Sequence, residues 1–147
     1  MYKVNILVVE KNQEAARRIS DALKESKAHL EIQVMTNGAD AMDYLQHKGG
    51  YLGTHPPHVI ILELNLNGKD GREVLTEIKH DEQLKRIPVL VFSESDKIDD
   101  VEFCYENYAN SYIIKPEDEE NFSRAIKNLE AFWFRLVKLP TLAGSRY

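Results

Sequence analysis

The stretch VIILELNLNGKDGREVL, Val59 to Leu75, runs from an uninterrupted apolar segment through a glycine-containing loop into an amphipathic helical pattern. VIIL offers no polar face, so it suits a strand covered on both sides. That strand ends in Glu63. A carboxylate at the mouth of a buried strand is costly unless it is paired or used, so the search for chemistry starts at this residue.

Three further runs share the apolar character of VIIL: VNILVV (Val4 to Val9), VLVF (Val89 to Phe92) and YII (Tyr112 to Ile114). EIQVM, Glu31 to Met35, alternates and reads as a strand nearer an edge. Helical patterns lie between them: Ala15, Ile19, Ala22 and Leu23; Ala41, Tyr44 and Leu45; Val74, Leu75 and Ile78; Val101, Cys104 and Tyr105. The last helix is the longest, with Phe122, Ala125, Ile126, Leu129, Phe132, Trp133 and Leu136 at helical spacing before Pro140 stops it. Strand and helix therefore alternate five times. Parallel strands need right-handed crossovers, and those crossovers place helices on both faces of the sheet. The expected architecture is α/β, a five-stranded doubly wound parallel sheet, as one domain over residues 1–139 with a tail over 140–147.

The chain's 147 residues, 43% of them hydrophobic, suffice for one core. A net charge of -5 with both signs intermixed leaves no basic stripe for phosphates, which argues against nucleic-acid partners. No apolar run nears the roughly 18 residues of a membrane span. MYKVNILVVE reads as a charged strand rather than a signal peptide, so a cytoplasmic protein with no membrane partner is expected. The one cysteine, Cys104, permits no internal disulfide and reads as a small buried hydrophobe. The segment HKGGYLGTHPP, His47 to Pro57, is long for a connection. Its Gly50 and Gly53 neither follow a strand nor open a helix, unlike a phosphate loop. His55 and His58 lack a cysteine or carboxylate at ligand spacing, so no metal is assigned there.

In open α/β sheets, ligands bind beyond the carboxyl ends of the strands. Glu10 and Lys11 follow the first strand, Glu63, Leu64 and Asn65 the third, Ser93 the fourth, and Lys115 and Pro116 the fifth. Two carboxylates, two ammonium groups and a hydroxyl converge. Solvated strand ends would give the same pattern, so position alone does not separate a site from a polar rim.

The words ILVVEKN, VIILELNLNGKDGREVL, IPVLVFSES and ANSYIIKPED, in this order and spacing, closely resemble the receiver domain of bacterial response regulators over residues 3 to about 130. The long loop before the third strand, the phrase LNLNGKDGREVL and the ending FWFRLVKLP resemble the small stand-alone receivers that partner phytochrome-type and other hybrid sensor kinases. The resemblance implies a flavodoxin-like strand order 2-1-3-4-5 with five flanking helices. It also implies a phosphoacceptor at Glu63, acidic magnesium ligands at Glu10 and Lys11, and a backbone carbonyl ligand at Asn65. The remaining implied positions are a phosphate-binding hydroxyl at Ser93, a phosphate-binding lysine at Lys115 and a switch aromatic at Tyr112; these three match the family pattern. Glutamate stands at position 63 where the family has aspartate, and lysine at position 11 where it has an acid.

The two departures act together. Counted with Lys11, the pocket carries no formal net charge, against a negative pocket in the family pattern. Magnesium demands oxygen ligands at roughly 2.0 to 2.1 Å in octahedral geometry, and an ammonium both removes a ligand and repels the ion. No cofactor is therefore assigned, and the family's Mg2+ is expected to bind weakly or not at all. The extra methylene of Glu63 displaces its carboxylate, and an error of about 1 Å at a reacting atom costs on the order of a hundredfold. Phosphotransfer is expected to be slow or absent. Two readings of Glu63 stand side by side. It is a partial mimic of phosphorylation reaching toward Lys115, Ser93 or Lys11, with one charge and two oxygens against a phosphoryl group's nearly two charges and three. Alternatively, Lys11 clamps it as an ion pair and holds the site inert.

Phe132, Trp133 and Phe134 are consecutive and cannot share one helix face. Trp133 and Leu136 are assigned to the sheet with Phe122, Ile126 and Leu129, which leaves Phe132, Phe134 and Leu139 as an apolar interface patch. The narrower look-alikes associate through this end, so a homodimer is expected. The leading expectation is an atypical, non-enzymatic stand-alone receiver in two-component signalling. It would act by contact with a sensor histidine kinase or a downstream signalling protein. The runner-up is a receiver that accepts a phosphoryl group from a histidine kinase. A flavodoxin-like cofactor binder is disfavoured, because Glu10, Lys11, Asn12, Gln13 and Glu14 stand where a phosphate wants amides and hydroxyls.

Overall fold

A computed structural model describes residues 3–140. The expected tail, 140–147, lies outside the described residues apart from Pro140. Five strands, β1 (Lys3–Val9), β2 (His29–Met35), β3 (Val59–Leu62), β4 (Val89–Ser93) and β5 (Ser111–Ile114), form one parallel sheet in the order β2-β1-β3-β4-β5. Five helices connect and cover them: α1 (Gln13–Lys24), α2 (Gly38–Leu45), α3 (Gly71–His80), α4 (Ile98–Glu106) and α5 (Glu119–Glu130). Among the described residues no helix is long and apolar enough to cross a membrane.

The lack of alternation in the central strands has a direct structural cause. Leu7, Val9, Ile60, Leu62, Val89 and Val91 pack into one core with residues of α2, α3 and α4. Val4, Ile6, Val8, Val59, Ile61, Leu90 and Phe92 pack into a second core with residues of α1 and α5. Each fully buried aliphatic or aromatic side chain contributes about 1.5–3 kcal/mol. β2 lies at an edge and alternates in burial, as its sequence predicts. β5 departs from expectation. It is the other edge strand and is only half-buried, with Ile114 51% exposed. Its edge is guarded by Tyr105 of α4, whose hydroxyl accepts the Tyr112 backbone N–H at 3.1 Å.

Asn12, Asn37, Asp70 and Asp118 cap α1, α2, α3 and α5 by accepting a backbone N–H from the first turn. Among the described residues α4 alone starts without a side-chain cap from its N-cap residue, Lys97. The start of α3 comes so close to the end of β3 that only glycine fits there. A Cβ on Gly71 would lie 2.6 Å from Leu64 Cα and nearer still to Glu63 O. The Gly71 N–H donates to Leu64 O at 2.8 Å, which fixes the chain immediately after Glu63.

The long segment before β3 is structural. It contains a 3-10 turn at Gly49–Tyr51, and Tyr51 stacks edge-on against Tyr44 at 5.5 Å. His58 Nδ1 accepts the Asn5 N–H at 2.9 Å, tying β1 to the start of β3, and burial lowers its pKa. Cys104 is buried, and burial pushes its thiol up to about 11.

The C-terminal helix requires corrections. After α5 the chain continues as a π-helical segment, Ala131–Leu136, closed by Val137 N–H donating to Phe132 O at 2.9 Å. The wider turn shifts which face each following residue presents. Phe134 and Leu139, expected at the surface, are buried in the core beside α1 and α5. Leu136, expected in that core, is 75% exposed, and Trp133 is only partly buried. Of the three interface candidates only Phe132 is exposed.

The crowding at Gly71 yields a direct expectation. Gly71→Ala should destabilise the protein by about 1–3 kcal/mol through overpacking, read as a lowered urea midpoint with unchanged m-value. The largest amide chemical-shift changes should fall on Glu63 to Asn65.

Candidate functional site

Register places the candidate residues in one row. Val9 pairs with Leu62 and Ser93 with Ile114, so the residues after β1, β3 and β5 and the last residue of β4 meet at one rim of the sheet. Glu63 N–H donates to Val9 O at 3.0 Å and Lys115 N–H to Ser93 O at 2.7 Å, extending the sheet's bonding to both residues.

Glu10, Glu63, Ser93 and Lys115 are all buried. The Lys115 ammonium bridges the two carboxylates, 2.5 Å from Glu10 Oε1 and 2.8 Å from Glu63 Oε1. The second oxygens are also satisfied. Glu10 Oε2 accepts the Asn12 N–H at 3.0 Å. Glu63 Oε2 accepts the backbone N–H of Leu64 at 2.6 Å and of Asn65 at 3.2 Å. Glu63 Oε1 receives a longer contact from the Glu94 N–H at 3.4 Å. Burial works against the Lys115 ammonium, but hydrogen bonds to Glu10 and Glu63 outweigh it, and their charges add to the effect. The Lys115 pKa is held above the ordinary lysine value.

Lys11 does not take the place the clamp reading gave it. Its side chain is exposed and makes no ion pair among the described residues. Glu10, the preceding residue, takes the inward direction, and the lysine that holds Glu63 is Lys115. With Lys11 outside, two buried carboxylates face one ammonium, so the pocket carries one net negative charge rather than none.

This donor set does not fit the magnesium ion that the family resemblance implies. The two carboxylates aimed into the pocket already share an ammonium, and the position of the second acid holds an outward-facing lysine. Among the described residues no group of three or more His, Cys, Asp or Glu side chains is arranged to hold a metal.

Around the carboxylate lie the remaining positions. Asn65 is exposed and contributes its amide. Ser93 is fully buried, and its Oγ accepts the Ser95 N–H at 3.2 Å. Tyr112 packs partly buried against the α2–α4 core, and its hydroxyl donates to Ser95 O at 2.7 Å. Burial raises the phenol's pKa, so it stays a donor. Sequence reasoning passed over Ser95, Asp100 and Arg72, which join this arrangement. Ser95 Oγ donates to Asp100 Oδ2, and Arg72 grips Asp100 Oδ1 through Nε at 3.0 Å and Nη2 at 2.9 Å. Arg72 lies within the quoted GREVL and Ser95 within FSES; only folding brings them together.

Known proteins resemble this chain in sequence and fold. Residues 6–127 match the family described as response regulator receiver domain. Response regulator Rcp1 of Synechocystis sp. is 40% identical over 135 residues, 92% of this chain and 92% of that protein. The structure of the phosphorylated cyanobacterial phytochrome response regulator RcpA matches with a TM-score of 0.93 at 40% identity, covering 95% of this chain and 100% of the other. The Mn(2+)-bound form of response regulator Rcp1 matches with a TM-score of 0.92 at 39% identity, covering 94% and 99%. The sheet order, the row of strand-end residues and these likenesses agree: the chain belongs to the response regulator receiver domain family of two-component signalling.

Proposed function

We propose that this receiver has exchanged its phosphoryl input for a fixed carboxylate. The observation that carries this reading is the full donor shell of Glu63: one ammonium, two backbone amides at hydrogen-bonding distance and the Glu94 amide at longer range. Convergent amides and an ammonium in a buried pocket form an anion site, and the longer side chain of glutamate lets the protein fill it from within. Ser93 and Tyr112, the family's switch positions, then respond to a charge that is always present. Mimicry is partial, since one carboxylate carries less charge and fewer oxygens than a phosphoryl group. In this reading the protein is a single, non-enzymatic, stand-alone receiver domain in the cytoplasm. It binds Mg2+ weakly or not at all and acts by contact with a sensor histidine kinase or a downstream signalling protein.

A second copy is the other partner in this reading. A groove of about 500 Å3 beside β5 is lined by Asn110, Ile113, Ala125, Leu129, Phe132 and Trp133. Protruding Phe132 next to a recess is self-complementary about a two-fold axis, and the lining carries no charged side chain to repel its copy.

The test is incubation with radiolabelled acetyl phosphate, with and without magnesium. The native chain should take no label, whereas the Glu63→Asp, Lys11→Asp double variant should be labelled only with magnesium present. Label on Glu63 of the native chain would overturn the reading and establish a phosphorylation-competent receiver. Lys115→Met should cost about 3–5 kcal/mol, because two buried carboxylates lose their partner. The sign with pH follows from the raised Lys115 pKa. Its stabilisation is complete below the ordinary value of about 10.4 and is lost as pH rises through the folded value, so alkaline loss in urea titrations should be shallower in Lys115→Met. Phe132→Asp should raise the dimer dissociation constant by about tenfold or more, seen by light scattering, with the urea midpoint unchanged when both proteins are diluted to monomer.

A further inference from the structure

The loop between β4 and α4, residues 94–97, carries the amide that faces Glu63, and it touches the switch tyrosine as well. Its anchoring is concentrated on Ser95. The Ser95 N–H donates to Ser93 Oγ, its carbonyl accepts from Tyr112, and its hydroxyl donates to Asp100. Asp100 sits in the first turn of α4, the helix whose N-cap residue supplies no side-chain cap. Arg72, in the first turn of α3, closes the chain of contacts. Its guanidinium binds Asp100 in a two-pronged pair and reaches Asp70, the α3 cap, through Nη1 at 2.9 Å. The Arg72 and Asp100 side chains are 30% and 15% exposed, so water screens the pair only in part. The Ser95 hydrogen bond, opposed by slight burial and reinforced by Arg72, holds the Asp100 pKa below the usual carboxylate value.

We propose that Arg72 and Asp100 are positioning residues: a clamp from α3 that holds Ser95, and with it the β4–α4 loop and the start of α4, in one position. This goes beyond the Glu63 reading, because the clamp reaches the loop through the Ser95 hydroxyl and Asp100, contacts that do not involve Glu63. Arginine suits the role because Nε and Nη2 both close on Asp100 Oδ1 while Nη1 holds Asp70, three donors in one plane that a lysine does not present. The clamp supplies what α4 lacks locally, a side chain that fixes its first turn.

The experiment is amide hydrogen exchange followed by NMR on the full chain, with Ile60 and Ile61 of β3 as internal references for the fold. In Arg72→Gln and in Asp100→Asn, exchange at Glu94 and Ser95 should quicken by about tenfold relative to Ile60 and Ile61, the scale of losing one charge-assisted contact. Arg72→Lys should fall between parent and Arg72→Gln, a graded response that a mere loss of bulk would not give. Lys69→Gln, which removes another ion pair of α3, that with Glu77, should leave the loop rates within about twofold of the parent. The proposal is overturned if both clamp variants leave the loop-to-reference ratio unchanged, or if Lys69→Gln frees the loop to the same extent. Because the loop is followed relative to the β3 amides, a general loss of fold is separated from release of the clamp. The Glu63 reading is decided separately, by phosphoryl labelling.

Discussion

A single ammonium, that of Lys115, holds the candidate site together. It lies between two carboxylates that the fold has taken out of water, and neither carboxylate is tolerable there without it. The arrangement joins residues that follow β1, β3 and β5, strands that meet only because the sheet is wound in the order β2-β1-β3-β4-β5. Fold and site are therefore one problem: the hydrophobic strands bring the charged ends into register, and the charged ends fix the three strands at a common rim. Gly71 belongs to the same constraint, since the close approach of α3 directs the chain after Glu63 so that its own amides turn back onto its carboxylate.

Replacing aspartate by glutamate and an acid by lysine moves the site in one direction. The longer carboxylate meets the Lys115 ammonium and the amides of Leu64 and Asn65. The lost acid takes away a ligand without adding a pocket cation, because Lys11 points outward. The pocket keeps one net negative charge and neutralises the rest internally. A metal would compete with Lys115 for the carboxylates of Glu10 and Glu63, and that is a different competition from filling an open acidic cleft.

The two-sided burial of the central strands and the edge character of β2 were readable from apolar runs and their alternation, because burial on both faces leaves no room for alternation, whereas the strand order was implied by the family resemblance. The half-exposed state of β5 was not readable, since SYII is as apolar as its neighbours and only its place in the sheet uncovers it. In the same way the gathering of Glu10, Glu63, Ser93 and Lys115 followed from strand-end position, whereas the choice of Lys115 over Lys11 as the partner of Glu63 depended on which way a side chain leaves the strand. Phe134 and Leu139 were misplaced because regular helical periodicity was carried through residues 131–136, where a π-turn changes the repeat. Arg72 and Asp100 carry no local signal of partnership, being 28 residues apart and joined only through tertiary structure.

The Tyr105 hydroxyl occupies a backbone donor on the exposed edge of β5. An exposed parallel edge invites another chain to add itself as a further strand, a mode that recognises main chain and is indifferent to most of the sequence. Here the Tyr112 donor is already taken, and a chain seeking to pair along β5 must first dislodge an aromatic side chain. A contact made at this edge would therefore favour side chains over backbone, and its selectivity would rest on residues that can vary while the fold stays fixed.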